Sequence, residues 1–325
     1  MRLLAVDDDP LILDLLPIVF RQAQLPNITV ASSGPAALEL INDPDLEFDG
    51  LILDIEMPNM TGIELCEKIR QIPLYRNTPI LMLTAVTDST RIERAFAAGA
   101  DDYITKPFDV KEIATRVRVA ERMTERSTHA PVLDLSQMPH DAEEGSHGFS
   151  LDDPIRLAGH PQVILPFALG NYLSQLSRRR LDSCTIFAAR IADVDAYYMR
   201  SKPHELTQLV TDVVEAITEV VDFPHLLMAY EGDGTFMCIT QGSEPPAWPE
   251  IEDQIQYHLS TRPSPFEDGR NISLDVSVGN PVMPNASRNQ RVKKTFDRAR
   301  DRLRNREKIK LKQQSKSARH GAPRF

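Results

Sequence analysis

Cysteine is scarce in this chain, and the three present do not work together. Cys66, Cys184 and Cys238 are odd in number, far apart and without metal-ligand spacing. That excludes a disulfide framework and a cysteine-built zinc site, and points to free thiols in a reducing compartment. Long apolar runs are also missing. None approaches a membrane span, and the opening residues read as a strand followed by acids instead of a secretory signal, so a cytoplasmic protein is expected. The basic stretch from Lys308 to Phe325 has no aromatics interleaved with its charges, which leaves a stacking platform for single-stranded nucleic acid unsupported. No helix-turn-helix pattern appears in the second half, so nucleic acid is disfavoured as a partner.

What is present is a globular composition, 42% hydrophobic and 26% charged over 325 residues, enough for two domains with a core each. The formal net charge of −10 is unevenly spread. Residues 288–325 hold fifteen Lys or Arg against three acids, so the chain before them carries about −22.

The chain is organised around Leu51-Ile52-Leu53-Asp54-Ile55-Glu56-Met57-Pro58, an apolar run that delivers one carboxylate into a Pro-ended turn. Such a run reads as a buried parallel strand, and its carboxyl end is where open α/β sheets place their ligand crevice. A lone strand-end Asp would read as a loop cap. Asp54 has company, however: Leu3-Leu4-Ala5-Val6 runs into Asp7-Asp8-Asp9, Ile80-Leu81-Met82-Leu83 into Thr84, and Asp102-Tyr103-Ile104-Thr105 into Lys106-Pro107. Strand candidates at 3–6, 28–31, 51–54, 80–84 and 103–105 alternate with helical patterns near 10–24, 35–41, 62–71, 89–98 and 110–126. Five strand-then-helix repeats predict a five-stranded parallel, doubly wound α/β sheet.

Two acids, an acid, a hydroxyl and a lysine at four strand ends resemble the receiver domain of two-component response regulators, a flavodoxin-like fold. Thr84 follows Asp54 by 30 residues, Lys106 by a further 22, and Gly62 stands eight after Asp54, all as in receivers. The resemblance implies that Asp54 is the phosphoacceptor. It also implies that Asp7, Asp8, Asp54 and the backbone carbonyl of Glu56 hold Mg²⁺, an ion suited to oxygen ligands. Lys106 and Thr84 would contact phosphoryl oxygens, and Thr84 with Tyr103 would form the switch. Asp9 is expected only to start a helix. The implied partners are a sensor histidine kinase or phosphotransfer protein, and a second copy through the fourth helix, fifth strand and fifth helix. A cis bond before Pro107 is expected on the same ground.

Residues 1–126 are thus expected to form the receiver. Residues 127–165, rich in Pro, His, Gly, Ser and acids, read as a linker. Its His140, His147 and His160 lack ligand spacing and read as solvated. Residues 166–306 read as βαββαβ with a trailing helix, a ferredoxin-like α+β sheet. The string has strands at 184–192, 226–230, 235–240 and 272–278, with Glu231-Gly232-Asp233-Gly234 as a hairpin. Gly232-Asp233-Gly234-Thr235-Phe236 and Asp193-Val194-Asp195-Ala196-Tyr197 resemble the catalytic domain of diguanylate cyclases, whose hairpin reads Gly-Gly-Asp-Glu-Phe. Under that alignment the hairpin acids become Gly234 and Thr235, the usual lysine becomes Tyr198, and Glu219 stands where an arginine should precede Asp222. A degenerate, non-catalytic cyclase-like domain acting on an unknown downstream partner is expected. The alternative is an active nucleotide cyclase of the cyclic di-GMP or class III type using Asp193 and Asp233, since Glu231-Gly232-Asp233-Gly234 also resembles the class III hairpin. In that register Arg190 falls where the first metal aspartate belongs. Residues 307–325, basic and poor in apolar side chains, are expected to be disordered.

Overall fold

In the computed structural model the short apolar runs of the N-terminal half form β1 (Leu3–Val6), β2 (Ile28–Ala31), β3 (Gly50–Asp54), β4 (Ile80–Thr84) and β5 (Asp102–Thr105). They alternate with α1 (Pro10–Gln22), α2 (Gly34–Ile41), α3 (Gly62–Gln71), α4 (Ser89–Ala97) and α5 (Val110–Arg126). The structure describes residues 2–25, 27–85, 89–126, 130–221, 225–242, 248–264, 266 and 274–320. The chain divides into two units, Met1–Ala130 and Pro131–Phe325.

The first unit is the expected parallel sheet, ordered β2-β1-β3-β4-β5. Leu3, Ala5, Ile52, Leu81, Leu83 and Ile104 pack on one face against Leu16 and Phe20 of α1 and Ile113 and Val117 of α5. The alternate residues Leu4, Leu51, Leu53 and Met82 are buried on the other face. Local signals set the helix starts. The Asp9 carboxylate accepts from the Leu11 N–H at 2.9 Å at the head of α1, as expected of a helix-entry residue. Thr61 and Glu64 form a reciprocal capping box at the head of α3. The Lys106–Pro107 bond is cis.

In the second unit β8 (Cys184–Ile191), β9 (His225–Tyr230), β10 (Thr235–Gln241) and β11 (Val276–Val278) form an antiparallel sheet ordered β11-β8-β10-β9. Before it come the short strands β6 (Val132–Leu133) and β7 (Arg156–Leu157) and the helices α6 (Pro166–Gln175) and α7 (Arg178–Leu181). Within it, α8 (Val194–Arg200) and α9 (Pro203–Val220) link β8 to β9, and α10 (Glu250–Ser260) links β10 to β11. Phe187, Ala189 and Ile191 face a core built with Leu209, Val213, Val214 and Ile217 of α9 and Ile255 of α10. The opposite face carries α6 and α11 (Arg291–His320), and α11 lies so close that a Cβ on Gly279 would stand 2.6 Å from the Leu303 backbone nitrogen.

Two expectations fail here for physical reasons. The linker foreseen over 127–165 is not a linker beyond residue 130: β6 pairs with β7, and Leu133, Ile155, Leu157 and Val163 join the core. These apolar residues are too sparse for a period, yet each is buried in the core of the second unit, and the segment is held to β9 where the Ile164 N–H bonds the Met228 carbonyl at 2.8 Å and the Met228 N–H bonds the Gln162 carbonyl at 2.9 Å. Residues 127–129 lie outside the described residues. The linker histidines are correspondingly not merely solvated. His140 stacks on His204 with ring centroids 4.3 Å apart, His147 Nε2 lies 2.7 Å from the Tyr198 carbonyl, and His160 Nε2 lies 3.8 Å from Glu215.

The tail foreseen as disordered from 307 is instead the continuation of α11 to His320, with 321–325 outside the described residues. Together with Arg306 just before it, this stretch meets acids distant in sequence: Arg306 holds Glu252 of α10 at 2.7 Å, and Lys310 reaches Asp275, just before β11, at 2.6 Å and the Val276 carbonyl at 2.9 Å. The first residues of the strand expected at 272–278 and Asp222 also fall outside the described residues. All three cysteines are buried, and burial pushes the Cys238 thiol up. Among the described residues no helix is long and apolar enough to cross a membrane.

Candidate phosphoacceptor site

Strand register brings the sequence-predicted groups of the first unit to one edge. Val6 pairs with Leu53, so Asp7 and Asp54 emerge side by side; Thr84 pairs with Thr105, so Lys106 follows at the neighbouring strand end. Asp7, Asp54 and Thr84 are buried while Asp8 is exposed. The Lys106 ammonium donates to Asp54 Oδ1 and to Asp7 Oδ2, each at 2.6 Å. Burial pushes the Asp54 carboxyl up to about 6, with Asp7 adding to the rise and Lys106 and the Glu56 N–H opposing it. Burial alone would lower the Lys106 amine, but its hydrogen bonds to Asp54 and Asp7 outweigh this and raise it.

The donor atoms of Asp7, Asp8 and Asp54 lie within 4.8 Å of one another, the one such group of three or more among the described residues. Three hard carboxylate oxygens of this kind fit a divalent cation such as Mg²⁺. Gly62 has a geometric necessity that spacing only hinted at. A Cβ there would sit 2.0 Å from the Asp54 carbonyl oxygen, so α3 can start against the end of β3 only with glycine. Tyr103 is buried, its ring edge-on to Phe96 at 6.3 Å. Glu56 pairs through its side chain with Arg91 of α4, a contact that no sequence signal pointed to.

The candidate acids of the second unit do not assemble comparably. Asp193 heads α8 in a left-handed conformation, and Asp233 sits at the hairpin tip, also left-handed. Asp233 is ion-paired with Arg190, and neither acid belongs to a group that could share an ion among the described residues. The hairpin tip is covered as well: Asp233 N–H donates to the Leu151 carbonyl at 2.8 Å, and a Cβ on Gly232 would stand 2.4 Å from the Asp152 carbonyl oxygen. Sequence reasoning missed this cover because residues 151–152 were assigned to the linker.

A family model described as the response regulator receiver domain matches residues 3–118. Those residues are a response regulator receiver domain. The match stops before the second unit begins. Among curated relatives, the DNA-binding response regulator MtrA of Mycolicibacterium smegmatis is 39% identical over 126 residues, covering 38% of this chain and 52% of that protein. The DNA-binding dual master transcriptional regulator RpaA of Synechocystis is 38% identical over 131 residues, covering 40% and 52%. This chain therefore spans about half the length of the curated relatives it matches. A solved structure of chemotaxis protein CheY4 from Vibrio cholerae is 31% identical, covering 37% of this chain and 97% of that one with a TM-score of 0.35.

Proposed function

We propose that the protein is a two-component response regulator in which Asp54 accepts a phosphoryl group from a sensor kinase or phosphotransfer protein. The observation that carries this is the Lys106 ammonium held 2.6 Å from both Asp54 and Asp7, a cation fixed beside a buried acceptor carboxylate. Attack by an Asp54 oxygen on a phosphorylated imidazole would transfer the phosphoryl group and release the imidazole. Positioning and charge neutralisation carry such a reaction. Lys106 would move from the carboxylates to a phosphoryl oxygen, and the Thr84 hydroxyl would donate to another. Mg²⁺, held by Asp7, Asp8, Asp54 and the Glu56 carbonyl, would neutralise charge on the transferring group. Thr84 and Tyr103 would then bias the β5 side of the receiver between two states, with dimerisation through α4, β5 and α5.

The second unit is read as a ferredoxin-like, cyclase-like domain that binds instead of catalysing. Its βαββαβ order supports the fold. The Arg190–Asp233 pair and the covered hairpin tip argue against cyclase chemistry through Asp193 and Asp233. The DNA-binding function in the relatives' names is not carried over, because this chain matches only about half of each.

Replacing Asp54 by Asn tests the receiver role: labelling by a small phosphodonor with Mg²⁺ should disappear, and persistent labelling would sink the assignment. Incubation with GTP or ATP plus Mg²⁺ or Mn²⁺ tests the second unit. A cyclic product lost in Asp233→Ala would make it an enzyme.

A further inference from the structure

A cavity of about 430 Å³ opens in the second unit beside α9, lined by Leu135, His140, His204, Gln208, Asp212, Pro263 and Ser264. Its volume is that of a small-molecule site. His204, Gln208 and Asp212 recur every fourth residue, so they stand in one row along α9, spanning about 12 Å. The row is unusual for a helix packed on a sheet, because His204 and Asp212 are only 7% and 5% exposed. Burying such groups is costly unless they are satisfied.

The chemistry of the row is directional. Asp212 Oδ1 accepts from Gln208 Nε2 at 2.8 Å, which uses one of the two amide N–H groups and leaves the Gln208 carbonyl oxygen as an acceptor of a side chain that lines the cavity. Arg262 stands 3.5 Å from the same Oδ1 but also pairs with Glu215 and Glu219, so one guanidinium is shared among three carboxylates. Asp212 is the acid of this group that lines the cavity; burial raises its carboxyl, and Gln208 and Arg262 oppose that rise. At the other end the exposed His140 ring and the buried His204 ring lie inclined by 40° with centroids 4.3 Å apart, and Leu135 and Pro263 add apolar sides. A ligand matching this set is flat, cationic and rich in coplanar N–H donors.

We infer that this cavity binds a small guanidinium compound, its planar head donating to Asp212 and Gln208 and its faces against the imidazole and apolar walls. A guanidinium presents two N–H donors to a carboxylate in one plane and stacks on ring faces, which an ammonium cannot do. The inference deepens the reading of the second unit as a binding domain and rests on it.

Isothermal titration of the full-length protein with agmatine and with L-arginine tests it, with butylamine and guanosine as controls. One site per chain is expected for agmatine, L-arginine or both, and which of them binds separates an amine from an amino-acid source. Asp212→Asn should weaken binding at least tenfold. Ser264→Trp, at the exposed rim, should do the same by filling the cavity, and it carries the test should the buried variant not fold. Failure of both guanidinium probes, equal binding of butylamine, binding of guanosine alone, or binding that survives Ser264→Trp would overturn the inference. None of these outcomes bears on whether a cyclic nucleotide is formed, so the parent reading stands or falls separately.

Discussion

Burial, more than residue identity, decides how the charged groups of the receiver behave. Asp102 is 2% exposed, and burial pushes its carboxyl up to about 6, although Arg116 at 2.8 Å and the Tyr103 N–H oppose the rise. The unfolded chain then releases this proton first as pH rises from about 4 to about 6. Across that window the unfolded state binds fewer protons, and the group's contribution to stability falls, by up to about 3 kcal/mol. Asp102→Asn should remove this slope, which chemical denaturation of both proteins at pH 4 and pH 6 would reveal as converging differences. Gly62→Ala forces a methyl into the Asp54 carbonyl at 2.0 Å. A loss of about 1–3 kcal/mol or more is expected, measured as a lowered urea midpoint, together with slower phosphodonor labelling. That Asp7, Asp54, Thr84 and Lys106 share one edge was legible in sequence because each follows or ends an apolar run, and parallel register places successive strand ends together. The Arg91 contact to Glu56 was not, since nothing local links a helix residue to a loop acid 35 positions away.

At the scale of elements, α11 is where sequence and structure diverge most instructively. Composition alone makes 307–320 look solvated, because basic residues with few apolar neighbours cannot build a core. The partners that hold the helix are acids distant in sequence, so their pairing was invisible. Glu252 is 3% exposed and takes bidentate bonds from Arg306 besides accepting from the Val278 N–H at 2.7 Å. Arg306→Ala would leave a buried carboxylate with only Lys310, at 3.2 Å, to balance it. A loss of about 3–5 kcal/mol is expected in equilibrium unfolding. Truncation after residue 306 gives a complementary check. It should lower the thermal midpoint by removing Lys310 from Asp275, whereas a disordered tail would be removable without effect. The wrap of residues 131–165 escaped detection for a related reason: isolated apolar residues carry no period, and only the finished sheet shows what they cover.

At the scale of the whole chain, each unit closes a core of its own. Two unfolding transitions are expected by calorimetry, with Asp102→Asn moving one and Arg306→Ala the other; a single transition displaced by both would contradict this. Nature has also supplied the means to follow them separately. The three thiols are all shielded, Cys66 in the first unit and Cys184 and Cys238 in the second. An alkylating reagent can therefore mark each cysteine only in molecules whose surrounding unit has opened. Peptide mass spectrometry after timed pulses would turn these inert side chains into two built-in clocks, reading the opening of the receiver half and of its companion in one unmodified protein.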